Sequence, residues 1–74
     1  MVIDTSALVA IVLGEPSSPA LLAALDHAAT RELCSVSLLE AGIVLRARRG
    51  AEAVPSLYKL VEELGCELVP FGAA

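Results

Sequence analysis

Two acidic residues stand where a parallel sheet would place its chemistry. Asp4 directly follows the apolar residues 1–3, and Glu40 lies in the segment that follows the largely apolar stretch 33–36. In open parallel sheets, ligands bind beyond the carboxyl ends of the strands. If the two stretches are neighbouring strands, both carboxylates converge on one edge. Paired carboxylate oxygens there suit a hard cation such as Mg²⁺.

Each acid also has a purely structural interpretation. Asp4 either caps the first predicted helix or simply lies near its N-terminus, where the dipole favours negative charge, although Thr5 or Ser6 can supply the capping oxygen instead. An acid directly after a buried strand is unfavourable unless a charged group pairs with it, which favours a further role. Glu40 lies three residues after Ser37, and this spacing fits a capping box. The shared location of the two acids, rather than either residue alone, makes the candidate site.

The apolar runs and their breakers predict three strands and four helices. The strands are expected at residues 1–4, 33–36 and 66–69. The helices are expected at 7–13, in a segment opened by Pro16 and Pro19, at 37–49 and at 51–64. Apolar strands that alternate with helices indicate an α/β fold with a parallel sheet and right-handed crossovers.

Two of the predicted helices carry distinct apolar patterns. The first is apolar on every side, and such a helix must be covered on every side. The second presents one apolar face, formed by Leu21, Leu22, Leu25 and Ala29. Both patterns predict that these helices pack against the rest of the domain.

Composition limits the class of protein. The chain has 74 residues, of which 57% are apolar, and its formal net charge is -4. Such an aliphatic-rich chain is not disordered, and an excess of acids does not fit a strongly basic nucleic-acid module. A chain this short hides only about 60% of the surface that its unfolded form exposes. We therefore expect a partner, a second copy or a longer chain.

Membrane insertion and secretion are not predicted. The longest unbroken apolar run, residues 7–13, is shorter than the roughly 20 residues of a membrane-spanning helix. No basic residue precedes it, as a signal peptide would require, so a cytoplasmic location is expected. Cys34 and Cys66 fit that compartment as small hydrophobic residues, with a disulfide between them as the alternative.

Three segments together resemble the PIN-domain family, and within it the VapC-type toxins of bacterial toxin–antitoxin pairs. They are Val-Ile-Asp-Thr-Ser-Ala-Leu at residues 2–8, Ser37-x-x-Glu40 at the start of a helix, and Arg46-x-Arg48-Arg49-Gly50 at its end. The likeness continues to the strand end Val69-Pro70-Phe71. It implies a three-layer α/β fold, a parallel sheet flanked by helices. It also implies an endoribonuclease that depends on Mg²⁺ or Mn²⁺ and uses three or four clustered acids.

The resemblance assigns roles residue by residue. Asp4 matches the first acid and Glu40 the second, both as metal ligands, and Ser6 matches the supporting hydroxyl. All three are expected to be catalytic residues. The implied partners are a cognate antitoxin, an RNA substrate and a second copy in a homodimer. The family usually continues with further acids, so residues 1–74 are expected to be an amino-terminal portion with an incomplete site and little or no activity.

Two features keep other interpretations open. Arg46, Arg48 and Arg49 either complement the helix dipole, which is the simpler interpretation, or contact RNA phosphates. The surplus of aliphatic residues equally suits a non-catalytic remnant, or a small binding protein that docks a partner through an apolar face. His27 is expected to be exposed and without a catalytic role.

Overall fold

Seven elements follow one another along residues 1–70, the part of the chain that the computed structural model describes. In order they are β1 (Val2–Ile3), α1 (Thr5–Leu13), α2 (Ser18–His27), β2 (Glu32–Cys34), α3 (Ser35–Arg49), α4 (Ala53–Leu64) and β3 (Glu67–Val69). Phe71, the last residue of the family resemblance, lies outside these residues. The predicted α/β class, with three strands and four helices, is confirmed.

The three strands form one parallel sheet in the order β1-β2-β3. Ile3 lies opposite Leu33, and Leu33 lies opposite Leu68. The ladder starts where the Glu32 N–H donates to the Met1 carbonyl at 2.8 Å and the Glu67 N–H donates to the Arg31 carbonyl at 2.8 Å. Since parallel strands end at the same edge, the segments after β1 and β2 begin side by side.

Helix α1 occupies the centre of the helical packing. Its Leu8, Val9 and Ala10 are buried, and it contacts α2, α3 and α4. This arrangement confirms that a helix apolar on every side is covered by several neighbours. No helix within residues 1–70 has the length and apolar character needed to cross a bilayer.

The predicted apolar face of α2 is correct in part. Leu25 is buried and Leu21 is partly buried, but Leu22 is exposed, and the helix ends at His27, before Ala29. The helix contacts the rest of the domain chiefly through α1. A single short neighbour covers only part of its apolar stripe.

Three helix starts also differ from the prediction. Helix α4 begins at Ala53 rather than residue 51. Helix α1 begins at Thr5 rather than residue 7, because Asp4 is its N-cap. Helix α3 begins at Ser35 rather than residue 37, with Cys34 as N-cap and no side-chain capping bond. The ends were predicted correctly: Gly14 and Gly65 adopt the left-handed conformation after α1 and α4, which glycine adopts without steric cost.

The two cysteines are free thiols at opposite ends of adjacent strands. Cys34 pairs in register with Val69, whereas Cys66 precedes β3. The alternative of a disulfide is therefore not realised. Burial raises the pKa of the Cys66 thiol, partly offset by the nearby Arg31 charge.

The side chain of Arg31 joins two helix ends to the sheet. Its Nε donates to the Leu64 carbonyl of α4, and one terminal nitrogen donates to the carbonyls of Leu25 at 2.7 Å and Ala28 at 3.3 Å. These carbonyls belong to the carboxyl ends of α4 and α2, which carry partial negative charge. Because Arg31 immediately precedes β2, the contact fixes that strand relative to both helices.

Arg31→Ala is expected to lower the free energy of unfolding by about 2–3 kcal/mol, since hydrogen bonds from a charged donor contribute about 1.5–3 kcal/mol. Arg31→Lys should recover part of this loss, because lysine keeps the charge but lacks the fork of donors. Urea unfolding followed by circular dichroism measures both variants. Arg49→Ala, at the exposed end of α3, serves as the control with a loss below about 1 kcal/mol. Equal losses of unfolding free energy for Arg31→Ala and Arg49→Ala would contradict the proposal that Arg31 holds β2 to the ends of α2 and α4.

Candidate functional site

Asp4 caps helix α1 with one carboxylate oxygen. Its Oδ1 accepts from the Ala7 N–H at 2.9 Å and from the Ser6 hydroxyl at 2.9 Å. These two bonds, the backbone one first, hold the pKa of Asp4 below its ordinary value, so the residue is ionised at neutral pH. Within residues 1–70 both bonds go to Oδ1, which leaves Oδ2 available to a ligand.

The structure resolves one alternative at Asp4 and corrects one expectation. Asp4 supplies the capping oxygen of α1, as its structural interpretation predicted, whereas Thr5 and Ser6 do not. The residue is also exposed, so the expected penalty for an acid in a buried position does not arise. Ser6 lies where a hydroxyl that orients the Asp4 carboxylate would lie.

Thr5 connects Asp4 to the start of helix α3. Its hydroxyl lies 3.3 Å from the Ser37 carbonyl oxygen and 3.4 Å from Glu40 Oε2, and it can donate to either acceptor. Asp4 and Glu40 therefore lie at the same edge of the sheet, because Thr5 follows Asp4 directly in the chain and its hydroxyl reaches Glu40. The sequence predicted that the two acids converge if β1 and β2 are neighbours. It did not predict the contact of Thr5 with Glu40, although Thr5 stands directly after Asp4.

The predicted capping box is wrong. Because Cys34 is the N-cap of α3, Ser37 lies inside the first turn and Glu40 lies one turn further on. Glu40 is exposed and turns toward the Thr5 hydroxyl. Its structural role as a cap is thus removed, and its carboxylate is available at the edge of the sheet.

The oxygen atoms at this edge fit part of a hard-cation site. They comprise two carboxylates, the hydroxyls of Thr5 and Ser6 and the Ser37 carbonyl, all of the donor type that Mg²⁺ and Mn²⁺ accept. Among residues 1–70, no group of three or more His, Cys, Asp or Glu side chains lies close enough to hold a metal ion. If Asp4 and Glu40 held such a cation, they would supply two protein ligands, and water would complete the coordination shell.

The three arginines of α3 lie in its last turn, as predicted, but they do not form one cluster. Arg46 lies in a cleft with Leu39 and Tyr58, whereas Arg49 lies in a cleft with Glu52. Arg48 lies in a third cleft between α1 and α3. At 100° per residue, the Arg48 side chain projects about 160° away from Arg46 and about 100° away from Arg49, so it faces a different neighbour.

Glu15, which the sequence did not single out, is the ionic partner of Arg48. The Glu15 Oε1 and the Arg48 terminal nitrogen are 3.8 Å apart, and the side chains remain 41% and 55% exposed. An exposed pair of this kind contributes about 0.2–1 kcal/mol. No local pattern marks the contact, because the two residues meet only when α1 packs on α3.

Asp4→Ala should lower the free energy of unfolding by about 1 kcal/mol, since it removes the N-cap acceptor of α1. Asp4→Asn should lower it less, because asparagine retains an oxygen that accepts the Ala7 N–H. Urea unfolding at pH 7 compares the two variants with the unchanged chain. An Asn variant as unstable as the Ala variant would contradict the capping role.

The same carboxylate predicts a pH effect. The folded-state pKa lies below the ordinary value of 3.8, so ionised Asp4 stabilises the fold fully above about pH 4. This contribution is lost as the pH falls through the folded-state pKa. Unfolding curves between pH 7 and pH 3 should therefore drop less steeply for Asp4→Asn than for the unchanged chain.

Comparison with known proteins identifies the family of this chain. The sequence matches the PIN domain family over residues 1–74. It is 41% identical over 63 residues to VapC ribonuclease Mb0625 of Mycobacterium bovis and to Ribonuclease VapC28 of Mycobacterium tuberculosis. Each alignment covers 85% of this chain and 47% of the relative, so the chain spans about half the length of these relatives. Because the family match extends over the whole sequence, the chain belongs to the PIN domain family.

Proposed function

We propose that residues 1–74 are the amino-terminal part of a VapC-type toxin, a metal-dependent endoribonuclease that cleaves RNA phosphodiesters. The observation that carries the proposal is the position of Asp4 and Glu40 at one edge of the sheet, connected through Thr5. The 41% identity to two ribonucleases supports the same reaction class. A cognate antitoxin is the proposed protein partner.

Mg²⁺ or Mn²⁺ is the proposed cofactor, held by Asp4 Oδ2 and a Glu40 oxygen. A divalent cation there supplies positive charge that offsets the charge building up on a phosphate during cleavage. Ser6 holds Asp4 in one orientation through its 2.9 Å hydrogen bond. Thr5 restrains Glu40 in the same way. Each hydroxyl thus pre-positions one carboxylate, which reduces the ordering required when the ion binds.

The proposed activity of the 74-residue chain itself is weak or absent. Mg²⁺ prefers six oxygen ligands, and two carboxylates leave most of these positions to water. Fewer carboxylates also offset less of the ion's charge. A site with this ligand set binds its ion loosely and holds it in a poorly defined position relative to the RNA.

Isothermal titration with Mn²⁺ tests the metal site. We expect weak binding, with a Kd on the order of 1 mM, comparable to other protein sites with few charged ligands. Asp4→Asn should abolish the binding because it removes the charge while retaining the cap. Asp26→Asn, at an exposed acid on α2, is the matched control and should leave binding unchanged. Binding that survives Asp4→Asn would contradict the assignment of the ligands.

An RNA cleavage assay on the same samples tests the expected level of activity. Little or no metal-dependent cleavage is expected from the 74-residue chain. Robust cleavage that is abolished by Asp4→Asn would contradict the proposal that the 74-residue chain has little activity. It would still support Asp4 as part of the proposed site.

A second function is favoured by a specific surface, which we call the α3–α4 patch. It consists of Leu39, Ile43 and Tyr58, which are 62%, 61% and 56% exposed. Contiguous exposed apolar side chains mark interaction surfaces. The patch suits either the proposed homodimer of a toxin or the docking face of a non-catalytic binding protein.

Sedimentation across a concentration series tests the α3–α4 patch. Self-association should appear as a rising mass, and Ile43→Lys should shift the chain toward monomer because it places a charge inside the contact. Leu22→Lys, at an exposed leucine on α2, is the control and should not change the mass. A well-folded monomer at all concentrations would contradict self-association.

Association without any Mn²⁺ binding would favour the docking protein over the enzyme.

A further inference from the structure

The cleft between α1 and α3 leads away from the candidate metal site. It has a volume of about 340 Å³ and is lined by Thr5, Ser6, Val9, Glu15, Val44 and Arg48. The first two of these residues contact Glu40 and Asp4, so one end of the cleft opens onto the acidic edge of the sheet. The other end holds the pair of Glu15 and Arg48.

Helix α1 forms one wall of the cleft, and its length suits a short stretch of a nucleic-acid strand. From Thr5 to Leu13 helix α1 rises about 12 Å at 1.5 Å per residue. This length corresponds to about three stacked nucleotides, which rise about 3.4 Å each. Val9 and Val44 supply an apolar floor between the two polar ends. Of the three arginines in α3, Arg48 is the one that lies in this cleft.

The pair of Arg48 and Glu15 is suited to exchange of partners. At 3.8 Å, with both side chains about half exposed, it is a loose contact rather than a buried bidentate one. A guanidinium binds phosphate through two parallel hydrogen bonds, which are stronger than an exposed single contact. A phosphate that enters the cleft can therefore displace Glu15 from Arg48.

We propose that single-stranded RNA bound at the acidic edge continues along the cleft between α1 and α3, where Arg48 binds a backbone phosphate in competition with Glu15. This inference rests on the proposed function, since it concerns the substrate of that site. Arg48 is a positioning residue that holds the strand relative to Asp4 and Glu40. Glu15 weakens binding by occupying Arg48 while the cleft is empty.

Fluorescence anisotropy with a labelled ten-nucleotide oligouridine RNA tests the path, using the 74-residue chain over a series of salt concentrations. Arg48→Gln should weaken binding and reduce the slope of log K against log salt by about 0.7, the value for one phosphate contact with a single strand. Arg48→Lys should restore most of the slope. Arg46→Gln and Arg49→Gln, which remove the same charge from other surfaces, should change it less.

A double-mutant cycle separates local competition from a general charge effect. Glu15→Gln should strengthen RNA binding roughly 2- to 5-fold, as expected for release from an exposed ion pair. In the Arg48→Gln background the same change should have little effect, because Arg48 is no longer there to be released. Equal effects in both backgrounds, equal losses for the three arginine variants, or no RNA binding would each overturn the inference.

Metal titration distinguishes this failure from failure of the proposed function. Arg48→Gln should leave Mn²⁺ binding unchanged, because Arg48 lies at the far end of the cleft from Asp4. Mn²⁺ binding that depends on Asp4, combined with RNA affinity that is indifferent to Arg48, overturns the cleft alone. No Mn²⁺ binding by the unchanged chain overturns the proposed function itself.

Discussion

The parallel pairing of β1 with β2 is the contact on which the candidate site depends. It comprises two register pairs, Val2 with Glu32 and Ile3 with Leu33. Because the two strands end together, α1 and α3 start beside each other, and Thr5 reaches both the Ser37 carbonyl and Glu40. A shift of either strand by one residue would turn its own buried side chain, Ile3 or Leu33, out of the core, since alternate side chains face opposite sides of a sheet. Burial of these two residues therefore also fixes the position of the acids.

Two further contacts hold this register in place from outside the sheet. Helix α1 packs on three other helices, so its start cannot move without disturbing all of them. Arg31 ties the beginning of β2 to the carboxyl ends of α2 and α4. The short strands themselves contribute few hydrogen bonds. The helices and Arg31 consequently supply much of the restraint that a longer sheet would provide for itself.

The sequence predicted what depends on local pattern and missed what depends on packing. The α/β class, the order of elements and the helix ends at Gly14 and Gly65 follow from apolar runs and breakers, and the structure confirms them. The starts of α1 and α3 were wrong because several residues near each start were able to cap. The links from Thr5 to Glu40 and from Glu15 to Arg48 join residues far apart in sequence, so no local spacing marks them.

The two carboxylate oxygens of Asp4 serve different purposes, one in capping helix α1 and the other in the proposed binding of a cation. Oδ1 meets the need of the fold, because it accepts the backbone N–H that starts α1, and asparagine meets that need as well. The negative charge and Oδ2 matter to a bound cation, and asparagine lacks the charge. A single-base change from an aspartate codon to an asparagine codon therefore removes the charge and leaves the helix start intact. At residue 4, the fold tolerates a mutation that a charge-dependent property does not, so a folded form without the Asp4 charge is one mutational step away.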